Sequence, residues 1–413
     1  FSTGIPDCSP GRYLATSGEI AGHLWGGKWP PTGILHWPRS SLAHGVAGTA
    51  LLHIERAATD TSGWAAAHTS MRAAAAGPID GDAHTGLFYG APAISFMLHA
   101  AAACEPRHAR TAAALDEVVQ RVAHRRLVTA TTRMDRGDPA GFTEFDLFSG
   151  LVGIGALLLR RCPDSDAVTG ILNYLVTLTT PRTDHGLRVP GWWVAHDPDT
   201  ICPTPGGHAN FGMAHGAAGL LALLASATIR GRVVEGQYDA ISALTRWFDR
   251  WRQDSSHGPW WPQWITRDEL RSGRPTQREP GLPSWCYGAV GIARAQQLGA
   301  IATDDTSRRT TAEDTMAACL ADRQLDRVTE SGLCHGLAGI YQSAFRAAND
   351  AYSPAIAGLL PGVASRMAQH AATIGHHGNA GFLTGDAGVA LACDTARYMT
   401  TPRSEWDACL LIV

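Results

Sequence analysis

HGAAGLLALLA, residues His215–Ala225, sets two glycines three residues apart directly before a helix-length run of Ala and Leu. A run apolar on nearly every face suits a helix buried on all sides. Small residues three apart at its start let other backbones approach closely and leave the first amides unobstructed. The pattern recurs along the whole chain: HGVAGTALLHI from His44, YGAPAISFMLHA from Tyr89, SGLVGIGALLL from Ser149, YGAVGIARAQQL from Tyr287, HGLAGIYQSAF from His335 and TGDAGVALAC from Thr384. Only the second copy departs from Gly-x-x-Gly, with Ala93 in the last position.

The first glycines fall at Gly45, Gly90, Gly150, Gly216, Gly288, Gly336 and Gly385, so each unit has room for two helices and their connections. Segments between the copies are amphipathic. Leu115, Val118, Val119 and Val122 form one stripe, with Asp116, Glu117, Arg121 and Arg125 mostly on the other faces. Buried inner and half-solvated outer helices predict an all-α fold, an α/α toroid of seven helical hairpin repeats; an open solenoid has the same local signature. Uneven spacing marks insertions around 181–210 and 255–283, rich in Pro and Trp, which read as loops or short β-rich pieces over one face. No low-complexity linker divides residues 1–413, so the chain reads as one domain.

Hydrophobic residues make up 45% of the 413 and charged ones only 17%, with 45 glycines, a balance that argues against disorder. Lys and Arg number 34 against 37 Asp and Glu, so the basic face that nucleic acid needs is missing. No apolar run reaches the roughly 18 residues of a transmembrane segment, and the N-terminus shows no charged-then-apolar targeting signal; a cytoplasmic protein is the expectation. Nine cysteines (Cys8, Cys104, Cys162, Cys202, Cys286, Cys319, Cys334, Cys393 and Cys409) are too few for a disulfide scaffold and predict reduced thiols.

Reactive side chains cluster at the glycine pairs. Cys286 lies two residues before Gly288, Cys334 and His335 directly precede Gly336, His215 precedes Gly216, and Asp146 lies four before Gly150. If the helix starts converge, so do these groups. Two thiolates and one imidazole can bind one Zn²⁺ per chain with a fourth position open, as a catalytic rather than a structural site requires. Adjacent residues on a regular helix point about 100° apart, so Cys334 and His335 can both ligate only from a turn. A lone Cys or His is more often a packed core residue, but three soft ligands in register at consecutive repeats point to metal. His215 reads as a fourth ligand, a general acid or base, or a core histidine, with Asp146 placed to orient it. His44 reads as structural; His84, Asp80, Asp82, His185, His196 and His208 read as polar loop groups. Trp192, Trp193, Trp260 and Trp261 either line a peptide groove or pack.

SWCYGAVG at Ser284–Gly291, GLCHGLAG at Gly332–Gly339 and GMAHGAAG at Gly212–Gly219 resemble the motifs of the lanthionine synthetase C-like cyclases over essentially the full length. LAHGVAGTALLHIERA from Leu42 and the final SEWDACLLIV look like the stand-alone cyclases of the first lanthipeptide class. The resemblance implies that Cys286, Cys334 and His335 are zinc ligands, that His215 and Asp146 are the catalytic histidine and its carboxylate partner, and that Tyr287 is an active-site tyrosine. It further implies Michael addition of peptide Cys thiolates to dehydroalanine or dehydrobutyrine, giving lanthionine or methyllanthionine. A dehydrated precursor with a leader segment, a dehydratase and a transporter are the implied partners. One departure is Leu282, where the family often has Arg; Arg274 and Arg278 are the nearby candidates to replace it. Competing readings are addition of glutathione to dehydroamino acids, a noncatalytic peptide receptor with structural zinc, and a carbohydrate-active toroid. The last needs paired acids, and Asp146 has no evident acidic mate.

Overall fold

Each small-residue pair starts a helix in the computed structural model, which describes residues 39–198, 202–374 and 380–413. In chain order the main helices are α1 (Val46–Ala57), α2 (Trp64–Ala74), α3 (Ala91–Cys104), α4 (Ala109–Asp135), α5 (Leu151–Arg161), α6 (Asp166–Leu178), α7 (Ala217–Ile229), α8 (Gln237–Trp251), α9 (Ala289–Ala302), α10 (Thr306–Cys319), α11 (Leu337–Asp350), α12 (Ala355–Ile374) and α13 (Asp386–Tyr398). The odd-numbered helices follow the glycine pairs. Each packs against the next, and α13 packs back on α1, so the inner ring is closed. The even-numbered helices lie outside, each against the inner helix before it; the described residues supply six of them. Cys8 and the expected lack of an N-terminal targeting signal fall outside the described residues.

Burial follows the sequence pattern. In α7, every residue from Ala217 to Ala227 is buried, and in α5 every residue from Leu151 to Leu159. On the outer α4, Val119 and Val122 face inward while Glu117, Arg121 and Arg125 are exposed. Asp116 departs from the expected polar face: it is buried, 2.8 Å from His99 Nε2, and accepts from Ser95 Oγ at 3.0 Å, so it joins α4 to α3. A buried carboxylate persists only when paired in this way.

The inner helices begin at one level because the loops before them are hydrogen-bonded into a closed ring through backbone alone. Leu42 N–H donates to Phe88 O (3.0 Å), Phe88 to Phe148 O (3.2 Å), Leu147 to Ala214 O (3.0 Å) and Ala214 to Cys286 O (3.2 Å). Cys286 donates to Cys334 O (3.1 Å), Cys334 to Leu383 O (3.0 Å) and Leu383 to Ala43 O (2.9 Å), which returns to the first loop. The expected unobstructed amides are in fact capped: Ala218 N–H reaches Phe211 O, Ala338 reaches Ser331 O and Gly339 reaches Gly332 O. That fold-back is what the second glycine permits. A Cβ on Gly219 would meet Met213 O at 2.6 Å, and one on Gly339 would collide with Leu333 O. The second copy tolerates Ala93 because its chain turns differently, through Gly90 at φ +75°, with Ala91 N–H bonded to Asp80 O.

The C-terminal segment turns inward. Trp406, Asp407, Leu410 and Ile412 are fully buried. Leu410 O accepts from Trp285 Nε1 (2.9 Å), Ile412 O from Arg294 Nε of α9 (2.9 Å), and Asp407 from Arg346 and Gln342 of α11 (each 2.6 Å). The same segment touches α5, and only the ring interior reaches all three helices. The two insertions carry short antiparallel pairs: β1 (Arg182–Asp184) with β2 (Leu187–Val189), β3 (His208–Asn210) with β6 (Trp264–Thr266), and β4 (Gln253–Ser255) with β5 (Gly258–Trp260). The β3–β6 pair joins one insertion to the other, with Ala209 opposite Ile265. Among the described residues no helix is long and apolar enough to cross a membrane.

Gly339→Ala forces the cap apart and should cost about 3 kcal/mol, at the upper end for overpacking. Gly362→Ala, in the exposed middle of α12 with open space at its Cβ position, should be neutral or stabilising by about 0.5 kcal/mol. Urea unfolding of both variants checks the contrast; equal stabilities would refute the role given to the second glycine.

Candidate metal centre and acid-base pair

The ring brings the loops before α9 and α11 side by side. Cys286 Sγ, Cys334 Sγ and one ring nitrogen of His335 lie within 4.8 Å of one another. A tetrahedral zinc with bonds of about 2.3 Å to sulfur and 2.0 Å to nitrogen sets its donors about 3.5–3.8 Å apart. Two soft thiols and an imidazole at this spacing fit zinc, and neither cysteine is in a disulfide. Both thiols are buried at the N-terminal ends of inner helices, where the helix dipole favours a thiolate. Burial alone would push the Cys286 thiol up, but hydrogen bonds from Cys334 and His335 outweigh it and hold its pKa well below the ordinary value.

Asp146 does two things from the turn before α5. Its Oδ1 accepts the amides of Ser149 (2.7 Å) and Gly150 (2.8 Å), fixing the helix start, and its Oδ2 lies 2.6 Å from His215 Nδ1. A carboxylate only accepts, so Nδ1 carries the proton and Nε2 is the nitrogen left for exchange. Both side chains are buried. Phe142 stacks on the imidazole (centroids 5.0 Å apart, 26° between planes), and Phe148 lies at 5.2 Å. Tyr287 stands 5.9 Å from the same ring, bringing the third expected catalytic residue into the group. The two halves of the site are joined by the ring bond from Ala214, next to His215, to Cys286 O. Gly212 makes this approach possible, since a Cβ there would meet Tyr287 Cδ1 at 3.1 Å.

Other expectations divide. His84 pairs with Asp80 (2.7 Å) in its loop, as expected of polar loop groups. His44 lies at the closing seam, with Nδ1 3.4 Å from Thr384 Oγ1. His208 is corrected: it is a fully buried residue of β3, edge-on to Phe142 at 5.4 Å, and not a loop group. His196 is exposed and accepts the Phe142 N–H at 3.3 Å. Trp192, Trp193, Trp260 and Trp261 all pack in the interior; Trp193 Nε1 bonds Gly206 O and Trp261 Nε1 bonds Phe248 O. Leu282 is half-buried, and Arg274 and Arg278 are exposed in the loop before it. The buried cation whose charge acts on Asp146 is Arg126 of α4, whose Nη1 donates to Thr85 O at 2.6 Å; burial lowers its pKa and the Asp146 charge opposes that. Arg126 and Phe142 escape sequence reading because neither lies at a glycine pair.

A closed ring of inner helices with this loop chemistry at one end defines the class. The chain belongs to the lanthionine synthetase C-like proteins, whose family model matches residues 36–411. Among known proteins it is similar to the nisin biosynthesis protein NisC of Lactococcus lactis subsp. lactis, at 25% identity over 207 residues, a stretch that spans about half of each chain (48% of both). Its fold is that of nisin cyclase, with a TM-score of 0.78 at 20% identity over 91% of this chain and 92% of that one.

Burial pushes the His208 pKa down to about 3 and that of His44 to about 4, against 6.5 when unfolded. The folded state therefore prefers both neutral. Their contribution to stability is complete above pH 6.5 and is lost as pH falls through that value toward the folded ones, by about 1.4 kcal/mol per pH unit for each group. Urea unfolding at pH 7 and pH 5 should show the wild type losing more stability than His208→Gln; an equal loss would contradict the burial argument.

Proposed function

We propose that the protein is a zinc-dependent lanthipeptide cyclase, closing lanthionine and methyllanthionine rings by adding Cys thiols to dehydroalanine or dehydrobutyrine within one dehydrated precursor peptide. The observation that carries this reading is the meeting, at one end of the inner ring, of a Cys₂His donor set and a carboxylate-oriented histidine. Cys286, Cys334 and His335 would hold the ion. When bound, zinc supplies a Lewis acid that keeps a substrate thiol ionised near neutral pH, below its free value of about 8.5.

The rest falls to the chain itself. His215 Nε2 takes the proton that leaves the substrate thiol, while Asp146 holds the Nδ1–H and stabilises the imidazolium. The thiolate attacks the β-carbon, a C–S bond forms, and the π pair of the C=C bond moves to give an enolate. The imidazolium then returns its proton to the α-carbon. No proton is gained or lost overall and no redox partner is needed. Phe142 and Phe148 restrict the ring of His215 and keep water from one of its faces. Tyr287, beside the same imidazole, is assigned to the substrate side of the site.

On this reading the residues from 1 to 413 form a single cyclase domain. Its partners are a leader-bearing precursor peptide, the dehydratase that prepares it and the exporter that removes the product, all met in the cytoplasm.

His215→Ala should lower the rate of thiol loss from a dehydrated, Cys-containing precursor by about 10²–10⁴-fold, the usual contribution of general acid-base catalysis, while zinc content stays at the wild-type level. Thiol titration beside elemental analysis checks both. Wild-type rates in the variant would contradict the acid-base role given to His215; no thiol loss with the wild type either, zinc being bound, would favour a peptide receptor with structural zinc.

A further inference from the structure

A second cluster of ligating atoms stands far from the ring centre. His68 of α2 faces the turn between α3 and α4, which carries Glu105 and His108, and one ligand atom from each of the three lies within 4.8 Å of the others. The two Nε2 atoms are 3.2 Å apart. That is close to the roughly 3.3 Å between nitrogens that share one tetrahedral zinc at 2.0–2.1 Å. Trp64 stacks against both imidazoles, at 5.3 and 5.7 Å, and fixes their planes. The turn follows the far end of the 14-residue α3, about 20 Å along that helix from the glycine pair.

Hydrogen bonding within the cluster is poorly satisfied without a cation. His68 Nε2 meets His108 Nε2 and also the Arg107 Nη2 donor at 3.0 Å, yet a neutral imidazole nitrogen has one lone pair. Arg107 also bonds Glu105 through Nε at 2.6 Å and Nη2 at 2.9 Å, so a guanidinium sits where the positive charge is wanted. Its side chain is 57% exposed and can swing into solvent when an ion takes its place.

We propose that His68, Glu105 and His108 form a second divalent transition-metal site, taking Zn²⁺ through two imidazoles and a carboxylate and tying α2 to the α3–α4 turn. Two histidines and a glutamate are an established zinc donor set with a coordination position left over. The proposal is independent of Cys286, Cys334 and His335.

The test equilibrates the full chain with zinc, removes loose metal and counts zinc by elemental analysis, with thermal unfolding run beside it. Cys286→Ala should retain about one zinc per chain, and adding His68→Ala or Glu105→Gln to it should remove that ion together with the zinc-dependent rise in Tm. In the otherwise wild-type chain, His68→Ala should lose about one zinc without slowing thiol consumption. Arg107→Ala, which removes the competing cation, should bind the second zinc several-fold more tightly. Zinc content and Tm rise unchanged by both His68→Ala and Glu105→Gln would overturn the proposal, as would a Cys286→Ala chain that binds no zinc.

Discussion

Seven backbone hydrogen bonds, each passing from one pre-helical loop to the next until Leu383 returns to Ala43, are the constraint on which the rest of the structure depends. They hold the N-terminal ends of seven inner helices at one level and turn an array of hairpins into a closed ring. Net, each bond contributes only about 1 kcal/mol. Their weight lies in what a break would leave, a buried carbonyl or amide with no partner, at the point where neighbouring repeats must stay in register. Residues 402–413 add a second constraint from within, since the buried Asp407 and Arg294 pairings tie the neighbouring inner helices α11 and α9 to one segment that also touches α5.

The site's chemistry follows from that geometry. Cys286 and Cys334 are themselves members of the ring, so their spacing is held by main chain and not by side-chain packing alone. His215 is next to a ring residue, Ala214, and Asp146 next to another, Leu147, so the proposed acid-base pair inherits the same rigidity. Asp146 is fully occupied: one oxygen fixes the start of α5 and the other fixes an imidazole. A carboxylate with both oxygens engaged keeps a buried histidine in one tautomer, as the proposed proton delivery to a single carbon requires.

Much of this was legible in the sequence. The Gly-x-x-Gly pairs and the fully apolar runs after them gave the number and level of the inner helices, and Cys286, Cys334, His335, His215 and Asp146 were recognisable because each stands at a fixed offset from a pair. What stayed hidden has physical reasons. The ring is made of main-chain groups, which every residue carries, and only the glycines betray the close approach. Asp116 looks like a solvent-facing charge by periodicity and is buried because Ser95 and His99 satisfy it; Arg126 is a cation on the apolar stripe itself, buried with its charge held by backbone carbonyls. His208 looks like a loop residue until β6, more than fifty positions later, pairs with its strand. For the paired tryptophans the sequence left open a groove or packing, and they pack in the interior under the insertions.

The central claim is that the Cys₂His cluster at the ring is a metal centre on which chemistry depends. Its most direct test is zinc content measured together with thiol consumption from a dehydrated, Cys-containing precursor, in the wild type and in Cys286→Ala. The variant should lose about one zinc equivalent and thiol consumption together. A variant that still consumes thiol, or a wild type that takes up no ion at this cluster, would contradict that claim.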